Sequence, residues 1–427
     1  MKGRAHLAKY IISEGVPLKG RIKVDGAKNS VLPIIAASLL GETKSIIEEV
    51  PDLNDVKIMC DLIKSLGAEV EPLGKKSIAF HLRDITNSTA PYELVNKLRA
   101  SFLVMGPMLA KTGFVRVALP GGCAIGSRPV DLHLKGFTAL GAEITQGHGY
   151  VEARKTTKKL IGNKIYLDFP SVGATENIMM AAVLAEGQTS IENAAIEPEI
   201  VDLASYLNEM GACIRGAGTD TIRIEGVEKL YGCTHTVIPD RIEAGTYMAA
   251  ATITHGEVII DNVVPDHLKP IIAKLKEIGA EIEEDTSSVS VKGNCDLKAI
   301  DLKTLPYPGF PTDMQAQMTA LLSCTSGTSI VTETIFENRF MHVSELKRMG
   351  ANIKIDGRTA VIEGKKYLTG ASVKATDLRA GAALVLAGLA AEGATEISEI
   401  QHIDRGYCAL DVKLRSLGAK IERVEDN

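Results

Sequence analysis

The chain has 427 residues, which is too many for one ordinary core and suits two domains. Hydrophobic residues make up 45% and charged residues 24%, with a formal net charge of −5, no tryptophan and 4% aromatics, so the composition is globular and lacks the basic tracts and stacking platforms of a nucleic-acid binder. The longest apolar-and-glycine run, Ala380 to Ala391, is too short to cross a bilayer, and "MKGRAHLAKYIISEG" has no signal-peptide core, which points to a cytoplasmic protein with no membrane partner.

Taken along the chain, the first predicted element is a strand around "GRIKV". It precedes the first of several repeated units and is expected to complete the last of them. A helix follows from "GAKNSVLPIIAASLLGETKSI", polar at its start, rich in alanine, and ending in a glycine turn and a β-branched strand. The same pattern returns at "LRASFLVMGPMLAKTGFVRV", "PSVGATENIMMAAVLAEGQTSI", "PDRIEAGTYMAAATITHGEVII", "PTDMQAQMTALLSCTSGTSIV" and "ATDLRAGAALVLAGLAAEGATEI". These helices are apolar nearly all round, so they are expected to be buried. Each is followed by a more amphipathic helix that ends in "SLGAEV", "ALGAEI", "EMGACI", "EIGAEI", "RMGANI" or "SLGAKI". The glycines Gly67, Gly141, Gly211, Gly279, Gly350 and Gly418 are separated by 74, 70, 68, 71 and 68 residues, a period that marks internal repetition. Each glycine suits a left-handed helix cap before a strand. Six helix–strand–helix–strand units make two three-unit domains, residues 28–237 and residues 1–27 plus 238–427. "THTVIPDRIEA" starts the fourth unit, and the chain crosses between domains near residues 25 and 238.

The aligned starts of the inner helices carry Lys28, Arg99, Ser171, Arg241, Asp313 and Arg379. Helix N-termini hold partial positive charge and unpaired N–H groups, so several starts facing one region, with Lys28, Arg99, Arg241 and Arg379 added, favour an anionic ligand. Loops before the outer helices add Arg128, Arg339 and Arg405. In "GSRPVDLHLKGFTALGA", Pro129 suits the first helical position. The alternative is that each arginine is an ordinary solvated or ion-paired side chain.

Seven cysteines in an odd set without CxxC argue against a disulfide framework or a zinc site, and most are expected to be small buried hydrophobes. Cys123 differs. It lies in "LPGGCAIGSRPVDLH" among turn-forming residues, on a loop with the composition of a lid. Nearby cations lower a thiol pKa, which leaves it as nucleophile, general acid or an incidental thiol. Asp313, in "FPTDMQAQM", is expected in a first helical turn behind a Thr312 cap. There it either stabilises the helix start or accepts a proton, and Asp377 in "ATDLRAG" has the same two readings. No Walker loop and no zinc-spaced histidine pair occurs, and His133 and His342 are expected to be hydrogen-bonding residues at helix starts.

The motifs "GAKNSVLP", "LRAS", "PGGCAIGSRPVDLH", "SVGATENIM", "PDRIEAGT", "FPTDMQAQ", "TETIFENRFMH", "ATDLRAGAALVLAG" and "HIDRGY" span almost the whole chain. In this order they resemble the enolpyruvyl transferase family, in the branch that acts on a nucleotide sugar. The resemblance implies an α/β fold of two inside-out, barrel-like domains of three repeated units each, with the active site in the interdomain cleft. It implies transfer of the enolpyruvyl group of phosphoenolpyruvate to the 3-hydroxyl of UDP-N-acetylglucosamine, with release of phosphate, at the first committed step of peptidoglycan precursor synthesis. It implies no metal and no organic cofactor.

Carried over by motif, Cys123 is the general acid for the methylene carbon of phosphoenolpyruvate, can form an adduct with it, and is the thiol alkylated by fosfomycin. Lys28, Asn29, Arg128, Arg405 and Arg379 match the phosphoenolpyruvate site, with Lys28 and Arg405 also in the catalytic set. Asp313 matches the group that contacts the sugar hydroxyl and takes its proton. Arg99, Arg128, Pro129, Val130, Asp131, Leu132, Ser171, Val172, Gly173 and Ile335 match the nucleotide-sugar site. Arg241, Arg339 and Asp377 match further cleft residues. The chain departs from the pattern at Phe169-Pro170 and Asn54, where some relatives carry basic residues, and residues 1–7 match no motif. The alternatives are the sister reaction on shikimate 3-phosphate, whose enzymes lack the "PGGC" loop, and a non-catalytic nucleotide-sugar-binding paralogue.

Overall fold

The computed structural model describes residues 8–13, 15–83, 85–119 and 130–425. Cys123, Arg128 and Pro129 lie outside the described residues. The chain divides into two compact units: lobe I, with residues 26–119 and 130–238, and lobe II, with residues 8–25 and 239–425.

Each lobe repeats one motif three times. In every repeat a four-stranded sheet has the same order: a first strand, parallel to the second, then the fourth, then the third. In the fifth unit these strands are Leu302–Lys303, Thr328–Thr332, Thr359–Glu363 and Asn352–Asp356. In every unit an inner helix leads into the second strand and an outer helix joins the second to the third. In the second, third, fifth and sixth units the inner helix also follows the first strand in the chain, whereas Thr234–Thr236 and Lys19–Lys23 supply the first strands of the first and fourth units from elsewhere in the chain. The outer helices end at the repeated glycines, and Gly67, Gly141, Gly211, Gly279, Gly350 and Gly418 all have φ between 88° and 119°. That region penalises a Cβ, which is why glycine recurs there.

The inner helices lie at the centre of each lobe and the sheets lie outside them. Every residue from Arg379 to Leu389 is buried in the helix Leu378–Leu389, and every residue from Ile242 to Ile253 in the helix Arg241–Ile253. Burying a side chain such as Leu384 or Leu386 contributes about 1.5–3 kcal/mol. The sheets bury one face: Ser329 and Val331 point inward, while Thr328 and Ile330 are exposed. In lobe II the three inner helices pack on one another. In lobe I the helix Met105–Thr112 packs on Val172–Ala182, where Gly106 permits the approach, because a Cβ there would lie 2.2 Å from the Asn177 carbonyl oxygen.

The structure corrects three expectations. The strand Lys19–Lys23, which holds "GRIKV", does not complete the sixth unit; it pairs in parallel with Glu257–Asp261 of the fourth. The sixth sheet is completed by Ala8–Ile12, which sits between Thr395–Ser398 and Ile421–Glu425 and pairs antiparallel with both. "THT" does not open the fourth unit: Thr234–Thr236 pairs with Ser45–Glu48 and closes the first. Period arithmetic locates repeats but is blind to strands donated from the far end of a lobe. The thiols are also less buried than expected: among the six described cysteines Cys60 is buried, four are half-buried and Cys295 is exposed. Among the described residues, no helix is long and apolar enough to cross a membrane.

Candidate functional site

In lobe II the start of the fifth inner helix is a 3-10 turn, Thr312–Met314, leading into Gln315–Leu322. Contrary to the sequence reading, Thr312 does not cap it; the N-cap position is Pro311 and no side chain caps the turn. The Thr312 hydroxyl donates to Glu333 Oε2 (2.8 Å) and accepts from Arg339 Nη1 (2.7 Å). The adjacent Asp313 is held by two guanidinium groups. Arg339 Nη2 donates to Oδ1 at 2.7 Å and Arg379 Nη2 to Oδ2 at 3.0 Å. Burial alone would disfavour the Asp313 charge, but Arg379 and Arg339 outweigh it and hold the carboxyl well below the usual carboxylate range. Burial likewise works against the charge of Arg379, and the carboxylate of Asp313 more than compensates it.

Arg379 stands in the first turn of Leu378–Leu389, which Asp377 caps by accepting from the backbone N–H groups of Arg379 and Ala380 at 2.8 and 2.9 Å. Asp377 is thus a cap, one of its two expected roles. Arg379 Nη1 also donates to the Tyr407 hydroxyl (3.3 Å), as does Gln317 Nε2 (3.2 Å). The Thr246 hydroxyl donates to Ile242 O, so at the 2.8 Å contact the Tyr407 hydroxyl donates to Thr246. Burial pushes the Tyr407 hydroxyl pKa up, which keeps it protonated. Arg405 ends the 3-10 helix Ile400–Arg405 next to Gly406, where a Cβ would lie 3.7 Å from Arg379 Nη1. Arg241 opens the fourth inner helix behind an Asp240 cap, with its guanidinium 5.6 Å from the Tyr307 ring centre. His342, buried at the start of His342–Arg348, has its pKa pushed down to about 4, chiefly by burial, and stays neutral.

In lobe I, Lys28 opens Lys28–Ala37 but is buried rather than exposed, and its Nζ lies 2.7 Å from Asp55 Oδ2 in the first turn of Asn54–Ser65. Asn29 beside it is exposed. A second group gathers around His133. Its Nδ1 lies 3.1 Å from Asn177 Nδ2, which also donates to Phe102 O, while Asn177 Oδ1 accepts from Gly106 N. Asn177 therefore presents a donor to Nδ1, which places the imidazole proton on Nε2. Burial, helped by the positive charge of Arg99, pushes His133 down to about 3 and keeps it neutral. Gly173 lies against the same ring, where a Cβ would meet Cε1 at 3.3 Å, and Ser171 caps Val172–Ala182 by accepting from Ala174 N. Val130 is buried just before Asp131–Ala139, in which Asp131 is exposed and Leu132 half-buried. Arg99, Val130, Asp131, Leu132, Ser171, Val172 and Gly173, distant in sequence, thus lie at or beside the helix starts that meet around His133.

The expected excess of positive charge needs correction at two helix starts, because Asp55 compensates Lys28 and Asp313 compensates Arg379. Asp55, Glu333 and Tyr407 were not singled out from sequence. Glu333 and Tyr407 sit inside the motifs "TETIFENRFMH" and "HIDRGY", whereas nothing in "DLNDVK" marks Asp55. Burial pushes Cys60 up to about 11 and Cys233 and Cys324 up to about 12, so these thiols stay protonated and unreactive. Among the described residues, no group of three or more His, Cys, Asp or Glu side chains is placed to hold a metal ion.

A family profile described as EPSP synthase (3-phosphoshikimate 1-carboxyvinyltransferase) matches residues 12–414. The UDP-N-acetylglucosamine 1-carboxyvinyltransferase 1 of Caldanaerobacter subterraneus is 66% identical over 97% of this chain and 99% of its own length. A protein named UDP-N-acetylglucosamine 1-carboxyvinyltransferase 2 from Carboxydothermus hydrogenoformans is 62% identical over 98% of this chain and 100% of its own. Among solved structures, the enolpyruvyl transferase NikO of Streptomyces tendae superposes with a TM-score of 0.89 at 23% identity, covering 99% of this chain and 100% of that one. An EPSP synthase of Acinetobacter baumannii superposes with a TM-score of 0.77 at 20% identity, covering 98% and 100%. At these identities the two structures speak to the fold.

Proposed function

The chain belongs to the enolpyruvyl transferase family, with the UDP-N-acetylglucosamine 1-carboxyvinyltransferases, and from that premise we propose how its own residues carry the reaction. It is a transferase that moves the enolpyruvyl group of phosphoenolpyruvate to UDP-N-acetylglucosamine in peptidoglycan precursor synthesis, with the 3-hydroxyl as acceptor and phosphate as leaving group. The observation that carries the assignment of roles is the Asp313 carboxylate between Arg339 and Arg379.

Cys123 gives its proton to the methylene carbon of phosphoenolpyruvate, leaving an oxocarbenium-like C2. The sugar hydroxyl attacks that carbon and loses its proton to Asp313. Phosphate then departs and the new methyl group returns a proton to the Cys123 thiolate, which restores the enol ether and the thiol, while the proton on Asp313 passes to the released phosphate or solvent. A carboxylate of depressed pKa is a weak base, yet it suffices if the hydroxyl proton leaves late, once the forming C–O bond has made it acidic. Lys28, Asn29, Arg128, Arg379 and Arg405 hold the phosphate and carboxylate of phosphoenolpyruvate through the charge changes. Arg99, Arg128, Pro129, Val130, Asp131, Leu132, Ser171, Val172, Gly173 and Ile335 hold the nucleotide sugar, and Arg241, Arg339 and Asp377 support the arrangement. Two charged, phosphorylated substrates place the activity in the cytoplasm.

Phosphate release should require phosphoenolpyruvate and UDP-N-acetylglucosamine together. Release with shikimate 3-phosphate in place of the nucleotide sugar would overturn the acceptor assignment, and no release with either would favour a non-catalytic binder. Cys123→Ser should lose most turnover and escape the mass increase that fosfomycin produces on the wild-type thiol. Undiminished turnover of that variant would remove the acid role.

A further inference from the structure

Glu333 is 1% exposed and follows the strand Thr328–Thr332. Its Oε1 accepts from the Thr304 hydroxyl at 2.9 Å, from Ile335 N at 2.8 Å and from Phe336 N at 3.1 Å, and its Oε2 accepts from the Thr312 hydroxyl at 2.8 Å. Its own N–H donates to Arg358 O at 2.8 Å, so both its backbone and its side chain are fixed. A buried carboxylate with four donors is an ordered group rather than a tolerated charge. The nearest cation in this chain of bonds stands one hydroxyl away: Thr312 passes the contact to Arg339 Nη1, and the other nitrogen of that guanidinium grips Asp313.

The two oxygens of Glu333 therefore serve different tasks. Oε1 shapes the backbone turn at Ile335 and Phe336. Oε2 orients Thr312, and through it the guanidinium that sets Asp313. We propose that Glu333 is a positioning residue of the transfer reaction. It holds the Ile335 turn, which contacts the nucleotide sugar, in register with the carboxylate that takes the proton of the sugar hydroxyl. The proposal rests on the reaction assigned above. Aspartate, one methylene shorter, cannot span both sets of donors. Glutamine keeps an oxygen for the Oε1 donors but turns the Oε2 position into a donor, leaving the Thr312 hydroxyl hydrogen without its acceptor.

The test is steady-state phosphate release by wild type, Glu333→Gln, Thr312→Val and the double variant, with melting temperatures to confirm folding. A small misplacement of a reacting group is enough to slow chemistry, so Glu333→Gln should lower kcat about tenfold while KM for UDP-N-acetylglucosamine moves less than about twofold. Thr312→Val breaks the same link from the other side and should lower kcat by a similar factor. The double variant should be no slower than the slower single one, because both changes cut one chain of contacts. Wild-type kcat in either folded single variant, or two losses that multiply, would overturn the proposal. A wild type that releases no phosphate would instead remove the assigned reaction, and the proposal with it.

Discussion

Arg379 Nη2 lies 3.0 Å from Asp313 Oδ2, so the first turn of the sixth inner helix is tied to the start of the fifth across 66 residues of chain. With Arg339 on the other oxygen, the carboxylate is ionised, oriented and depressed in basicity at once. It is suited to receiving a proton that the reaction itself has made acidic.

Asp313→Asn should fold and turn over at least about a hundredfold more slowly than wild type, the usual scale for a positioned acid–base group. Its stability should show the sign of the charge. The folded pKa of Asp313 lies well below the ordinary 3.8 because Arg379 and Arg339 overcome the burial that opposes ionisation. Such a group stabilises above its unfolded pKa and loses that contribution as pH falls through the folded value. The gap in Tm between wild type and Asp313→Asn should therefore shrink below about pH 4. A gap unchanged from pH 7 to pH 3 would count against the two-arginine clamp.

Lys28 and Asp55 form a buried pair at 2.7 Å. Removing one partner from such a pair leaves a charge without its counterion, so Lys28→Met should lose about 3 kcal/mol in urea unfolding. Lys28→Met, Asp55→Asn together should recover much of it. The single variant should also raise KM for phosphoenolpyruvate. Stability within about 0.5 kcal/mol of wild type would show that the pair does not hold the helix starts together.

His235 in lobe I lies between Asp202 Oδ1 at 3.0 Å and Glu209 Oε2 at 2.9 Å. Burial lowers its pKa, but Asp202 and then Glu209 outweigh that and raise it above 6.5. A raised folded pKa gives stability that is complete below the unfolded value and lost as pH climbs through the folded one. Wild type should thus exceed His235→Gln most at pH 6, with the difference in Tm narrowing above about pH 6.5. A difference that grows toward pH 9 would contradict a protonated His235.

A chain lacking residues 1–13 should fail to fold lobe II. The strand Ala8–Ile12 is internal to its sheet, with Tyr10 facing Ile397 on one side and Arg423 on the other. Losing it strips two ladders of partners and uncovers apolar side chains. A cooperative, wild-type-like melt of the truncated chain would refute this.

Much of the architecture was legible in the chain because it rests on local rules. Six glycines at a steady period mark six left-handed caps, and all-round apolar helices can settle in the interior of a lobe and nowhere else. Periodicity and capping act within a turn or two, so one stretch of residues is enough to read them. Which strand completes which sheet was not legible: nothing in "GRIKV" or Ala8–Ile12 says that the first takes a sheet edge and the second an internal place, and their partners lie more than 200 residues away. The charged groups divided the same way. Asp377 carries helix-start stabilisation as one of its two readings from sequence, and that one is legible because a cap bonds its own helix. That Asp55 neutralises Lys28, that Thr312 turns from capping to bridge Glu333 and Arg339, and that Asp313 is shared by Arg339 and Arg379 emerged only on folding. Hydrogen bonds and ion pairs are short-range, so their partners are chosen by the packing of the repeats and leave no mark on spacing along the chain.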